Sequence, residues 1–90
     1  MADLQNIRSL IDASRLDEAL AALSSLPESE SSTAEAWFLR GLTLWRRGNR
    51  AAAASAYAHA ASLDPEGPAV QALDMARDIE AFFNPDLLNP

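Results

Sequence analysis

Ninety residues make one domain with room for a single modest core, and a hydrophobic fraction of 49% excludes wholesale disorder. The absence of cysteine excludes a disulfide framework, a thiolate metal site and a cysteine nucleophile. The net charge is −6 and all seven basic residues are arginine, which argues against nucleic acid, because affinity there rests largely on phosphate neutralisation.

No run of about 18 apolar residues exists, so no membrane span is predicted. The start, Met1-Ala2-Asp3-Leu4, has neither a basic leader nor an apolar signal core, which with the missing cysteines predicts a cytoplasmic protein. Strand signals are almost absent, and Ala, Leu, Arg and Glu dominate the long segments, so the fold class predicted is all-α with five helices. The first runs from Asp3 to Ala13, with Leu4, Ile7, Leu10 and Ile11 on one face. The second runs from Leu16 to Ser25 and stops before Pro27, with Leu16, Ala19, Leu20, Leu23 and Leu26 as its stripe.

A polar link follows, Glu28 to Ser32. Ser32 and Glu35 have the spacing of a capping box, which predicts that the third helix opens there; Gly48 should end it as a left-handed cap. The fourth helix runs from Arg50 to Leu63 and halts at Asp64-Pro65. Gly67-Pro68 opens the fifth, whose stripe is Ala72, Leu73, Ala76, Ile79 and Phe83. Pro85 blocks its continuation, leaving Asn84 to Pro90 as an extended tail.

Laying the chain on itself at an offset of 34 residues superposes Ala19 on Ala53, Leu23 on Tyr57 and Leu10 on Leu44. The same shift puts Leu4 on Phe38, Ile11 on Trp45 and Ser14 on Gly48. Helix falls on helix and turn on turn, so two helix pairs share one repeat length.

The stretch from Ala34 to Gly67 resembles a complete tetratricopeptide repeat. It has Trp37, Gly41 and Leu44, then the turn Gly48-Asn49, then Ala53, Tyr57, Ala60 and the closing Pro65. Gly41 and Ala53 let helix backbones approach, Trp37 and Tyr57 fill the space between them, Ala60 admits the next helix and Pro65 ends the pair. Two departures stand out: Arg40 before the glycine and Arg47 before the turn, where the family has apolar residues. Residues 1–33 match weakly, with Ile7 where the small residue belongs and no proline in the closing register. The resemblance implies a helical solenoid: a degenerate repeat over 1–33, a complete one over 34–67, a capping helix over 68–83 and a tail over 84–90. The chain is also similar to short stand-alone bacterial repeat proteins with an aromatic, Asn- and Pro-containing tail.

Catalytic chemistry has little to work with. His59 is the sole histidine and sits among alanines, which predicts a solvated or half-buried helix residue. The serines from Ser24 to Ser32 lie in no nucleophile-elbow motif, and no glycine-rich phosphate loop exists. Asp74, Asp78 and Glu80 read as solvated charge on the capping helix. No enzyme activity, no metal and no cofactor is predicted.

Binding has more. The resemblance implies that the first helix of each pair lines a concave face where partner peptides lie. Its inward positions would be Glu35, Phe38, Leu42, Trp45 and Arg46, with Leu4, Arg8, Ile11 and Asp12 as their counterparts in the first pair. Leu4, Ile11, Phe38, Leu42 and Trp45 would make that face an apolar patch of the kind that marks an interface. The patch would receive a protein or peptide partner, seal a homodimer, or be covered within the chain by the fifth helix or by Phe82, Phe83, Leu87 and Leu88. The family's grip on a C-terminal carboxylate uses Lys and Asn where this chain has Leu4, Arg8, Phe38 and Leu42, so that clamp is not reproduced. Arg46, Arg47 and Arg50 gather at one turn, as a solvated helix end or a weak anion site.

Overall fold

The structure, a computed structural model, describes residues 4–83, with side-chain surroundings as far as Arg77. The expected tail 84–90, and the side chains of Asp78, Ile79, Glu80, Phe82 and Phe83, lie outside the described residues. The described chain is all-α: α1 (Leu4–Asp12), α2 (Leu16–Ser24), α3 (Glu28–Ser31), α4 (Ala34–Arg46), α5 (Arg50–Leu63) and α6 (Pro68–Phe83). None of these helices is long and apolar enough to cross a membrane.

The helix beyond the five expected is α3, a single turn where a polar link was predicted. Pro27 ends α2 because it has no amide to extend the ladder, yet its fixed φ of −58° starts a new turn. The Pro27 carbonyl accepts from the amides of Glu30 and Ser31, each at 2.9 Å. This turn also displaces the expected capping box. The Ser32 hydroxyl lies back over the preceding turn, donating to the Glu28 carbonyl at 2.8 Å, and Glu35 turns to Arg8. Thr33 caps α4 instead, its Oγ1 accepting from the Ala36 amide at 3.2 Å while donating to the Glu30 carbonyl at 2.8 Å.

The repeat of 34 is written in the backbone. Asn49 N donates to Leu44 O at 3.0 Å and Gly48 N to Trp45 O at 3.0 Å, a helix end closed around a left-handed Gly48 (φ 92°). One repeat earlier, Arg15 N donates to Leu10 O at 2.8 Å and Ser14 N to Ile11 O at 2.9 Å, around a left-handed Ser14 (φ 62°). Even a side-chain bond recurs: Thr43 Oγ1 donates to Leu39 O at 2.7 Å, and Ser9 Oγ to Gln5 O at 3.2 Å. Register continues into α6, where Pro68 stands at the Ala34 position and the buried Leu73 at the Leu39 position.

The two turns differ in quality. Asn49 accepts from the Ala52 amide at 3.2 Å and caps α5, whereas Arg15 gives α2 no side-chain cap, and Ser14 holds a conformation that suits glycine. Transplanting the better turn, as Ser14→Gly with Arg15→Asn, is expected to stabilise the chain by about 1 kcal/mol, net of the lost Arg15–Glu18 pair and the entropy glycine adds to the unfolded state. Urea unfolding of the double variant would measure it; an unchanged midpoint would mean that the serine turn carries no strain.

Two clusters form the core. In the first, Ile7 and Ile11 of α1, Ala19 and Leu23 of α2 and Leu26 meet Ala36 and Leu39 of α4. In the second, Ala53 and Tyr57 of α5 meet Leu73 and Ala76 of α6. Helix α4 therefore buries two sides: Ala36, Leu39 and Thr43 in one direction, and Gly41 toward α5. Its partner α5 is alanine-rich because its buried line, Ala53, Ala56, Tyr57 and Ala60, follows helical spacing against two neighbours at short range. Trp37 departs from expectation. It lies outside both clusters, half-buried, stacked on the exposed His59 with ring centroids 4.1 Å apart, and Arg40 stands 5.1 Å from its ring. Tyr57 is the buried ring between α4 and α5, lying against Gly41.

Candidate functional site

A cleft of about 250 Å³ opens where α1, α4, the end of α5 and the start of α6 converge. Phe38 and Ala34 of α4 form its floor with Ala60, and Pro68 and Ala69 form the far wall. Arg8, Glu35 and Asp64 supply its charge. Phe38 owes its place to α4's central position: it packs against both core clusters, with its ring centroid 5.8 Å from that of Tyr57. Arg8 reaches across from α1 to Glu35 at 3.5 Å, an exposed pair on the rim worth little to stability.

Of the residues expected to form one binding face, Arg8, Glu35 and Phe38 come together here. Leu4 and Leu42 are half-buried against the first cluster, and Trp45 against the second, with the Arg50 guanidinium 5.1 Å from its ring. Asp12 is exposed. Ile11 is a correction. It is 0% exposed and belongs to the core, so it offers no side-chain surface to a partner. Its helical phase matches that of Trp45, but its short branched side chain fits wholly inside the cluster of α1, α2 and α4, where an indole would protrude.

The three arginines at the turn are all exposed, and each has its own partner. Arg46 Nη1 donates to the Ile11 carbonyl at 3.0 Å, Arg47 pairs with Asp17 and Arg50 covers Trp45. No shared anion site results. Arg46 thus adds a second donor, beside the Ser14 amide, to a carbonyl at the C-terminal end of α1, where the helix dipole favours a cation. With Arg8–Glu35 and Arg47–Asp17, it makes three polar ties that each run from the first helix pair to α4 or the turn after it. Arg47, an oddity in the sequence, is thereby explained.

The sequence reading missed the wall built by the end of α5 and the start of α6. A signal existed: Pro68 and Ala69 fall one repeat after Ala34 and Glu35, so α6 continues the row of helices to which α1 and α4 belong.

Tyr57 lies beneath this face, and burial pushes its phenol above the ordinary 10.0, with the Arg46 charge opposing in part. A raised pKa keeps the folded state protonated where the unfolded chain ionises. The stability it represents is therefore complete below pH 10 and is lost as pH rises from there through the folded value. The chain has one tyrosine and neither lysine nor cysteine, so no other side chain titrates in that window. Tyrosinate absorbance should rise late and together with unfolding. A midpoint at 10.0, seen without loss of helix, would mean an accessible phenol.

The sequence model of the tetratricopeptide repeat matches residues 4–68. No curated protein and no solved structure matches the chain. With helix pairs repeating every 34 residues, glycine set against tyrosine between α4 and α5, and that match over most of its length, the chain belongs to the tetratricopeptide repeat family.

Proposed function

We propose that this chain is a non-catalytic scaffold that binds a protein or peptide segment on the face shared by α1, α4 and the start of α6. Tetratricopeptide repeats are in general protein-interaction scaffolds. The observation that carries the reading for this chain is the cleft beside Phe38, which leaves an aromatic side chain half-buried at the floor of a depression with a charged rim. Half-exposed Leu4, Leu42 and Trp45 would extend the apolar surface available to a longer segment.

The test is to select binders from a displayed random-peptide library on the full chain, then photo-crosslink a selected peptide from benzoylphenylalanine placed at Glu35 or at Ser55. Both positions are exposed, but Ser55 lies on α5 away from the cleft residues. Crosslinking from 35 and not 55 is the expected result; the reverse would move the binding face to α5. Sedimentation equilibrium on the same preparation decides self-association. A dimer at least tenfold weakened by Trp45→Ala would make a second copy of the chain the occupant.

A further inference from the structure

We propose that the cleft beside Phe38 selects an apolar side chain followed directly by a basic one, so that the segment recognised carries a motif such as Leu-Arg. This rests on the binding reading above and gives the cleft its own chemistry. The floor and far wall are carbon surfaces from Phe38, Ala34, Ala60 and Pro68, and about 250 Å³ accommodates one aliphatic side chain and its backbone.

The charge at the rim is unbalanced. Arg8 and Glu35 answer each other at 3.5 Å, while Asp64 is exposed and has no arginine within ion-pair distance among the described residues. Its Oδ1 accepts from the Glu66 amide at 3.3 Å, and Oδ2 lies over Gly67, where a Cβ would come within 2.6 Å of it. Gly67 is not in the left-handed region, so the Asp64 side chain, and not a strained turn, is what a Cβ there would meet. An anion without a cationic partner beside an apolar depression, on a chain of net charge −6, complements a cation adjacent to a buried aliphatic group. An acidic segment would meet repulsion from the same groups.

The experiment is an amide-shift titration of the full chain with acetyl-Gly-Ser-Leu-Arg-Ser-Gly-amide at low salt, and with peptides carrying Ser for Leu or Glu for Arg. Saturable shifts are expected at Glu35, Phe38, Gly67 and Ala69. The Ser peptide should bind at least about tenfold more weakly through lost apolar burial, and the Glu peptide about threefold to fivefold more weakly. Asp64→Asn keeps the oxygen that caps the Glu66 amide, so the fold is retained. It should weaken the Arg peptide about threefold, spare the Glu peptide, and remove most of the salt dependence. Equal binding of the Arg and Glu peptides overturns the proposal, as does a pattern of shifts elsewhere or none at all. If library-selected peptides crosslink at 35 yet ignore Asp64→Asn, the scaffold reading stands and the motif does not.

Discussion

Gly41→Ala should destabilise the chain by about 1–2 kcal/mol, although alanine is the better helix former by roughly 1 kcal/mol at an interior position. A Cβ on Gly41 would lie 2.6 Å from Cδ1 and 2.7 Å from Cε1 of Tyr57, contacts that real side chains do not make. The ring has little freedom to retreat, since Tyr57 is 4% exposed and packed between α4 and α6. Overpacking of this kind costs about 1–3 kcal/mol, which outweighs the gain in propensity. For a domain of this size each kcal/mol moves the melting temperature by roughly 4–8 °C. The diagnostic is a double-mutant cycle with Tyr57→Leu, whose cost in the wild-type background is that of an emptied ring site. In the Gly41→Ala background the new methyl occupies part of that space, so the double variant should be at least about 1 kcal/mol more stable than the two single losses predict. Additivity within about 0.5 kcal/mol would show that the close approach is relieved by helix movement rather than by the ring.

The reason to expect that coupling is already present in the first repeat. Shifted back by 34, Gly41 and Tyr57 become Ile7 and Leu23, both buried in one cluster. The same gap between paired helices is filled there from both sides and in the second repeat from one side only. Ile7 looked like a degenerate position when read alone; it is half of an exchanged volume.

This contrast shows what was legible beforehand. Periodic apolar stripes, the prolines and the Gly48 turn define helix existence and the repeat length, because each acts through local backbone chemistry. The bounds of α5 follow from Asn49 and Asp64-Pro65, which stop the helix at both ends. What escaped the sequence was competition between neighbours. Ser32 and Thr33 are both competent caps, and only the helical turn at Glu28–Ser31 decides that the first serves the preceding carbonyl and the second serves α4. Ile11 and Trp45 share a helical phase, yet side-chain size puts one inside the core and leaves the other half out. Ile11 was misjudged for that reason: periodicity tells which side of a helix a residue is on, and only packing tells how far it emerges. Arg46, Arg47 and Arg50 illustrate the electrostatic version, since adjacency in sequence concealed three separate partners.

Leu39→Ala should have the largest effect of any single truncation, and it should be uneven along the chain. Leu39 is 0% exposed and is the largest fully buried side chain that α4 contributes to the cluster of Ile7, Ile11, Ala19 and Leu23. Its removal costs about 2–5 kcal/mol in a core that collapses poorly, against roughly 5–10 kcal/mol of total stability for a domain of this size. In a linear array each helix pair leans only on its neighbour, so the loss falls at one junction. Amides of α1 and α2 should lose most of their protection from hydrogen exchange, while those around Ala53 and Tyr57 keep theirs. Leu73→Ala supplies the control. It occupies the Leu39 position one repeat later, but it is 9% exposed and packs with Ala53, Tyr57 and Ala76, so it should cost less and loosen α6 rather than α1 and α2. The cleft gives the contrast a functional reading, since its floor belongs to α4 and its far wall to α6. Loosening either end should open the cleft from one side while leaving the other in place. A uniform fall in protection across all helices in both variants would instead make the chain one indivisible cooperative unit, with the repeats distinct in register but not in energy.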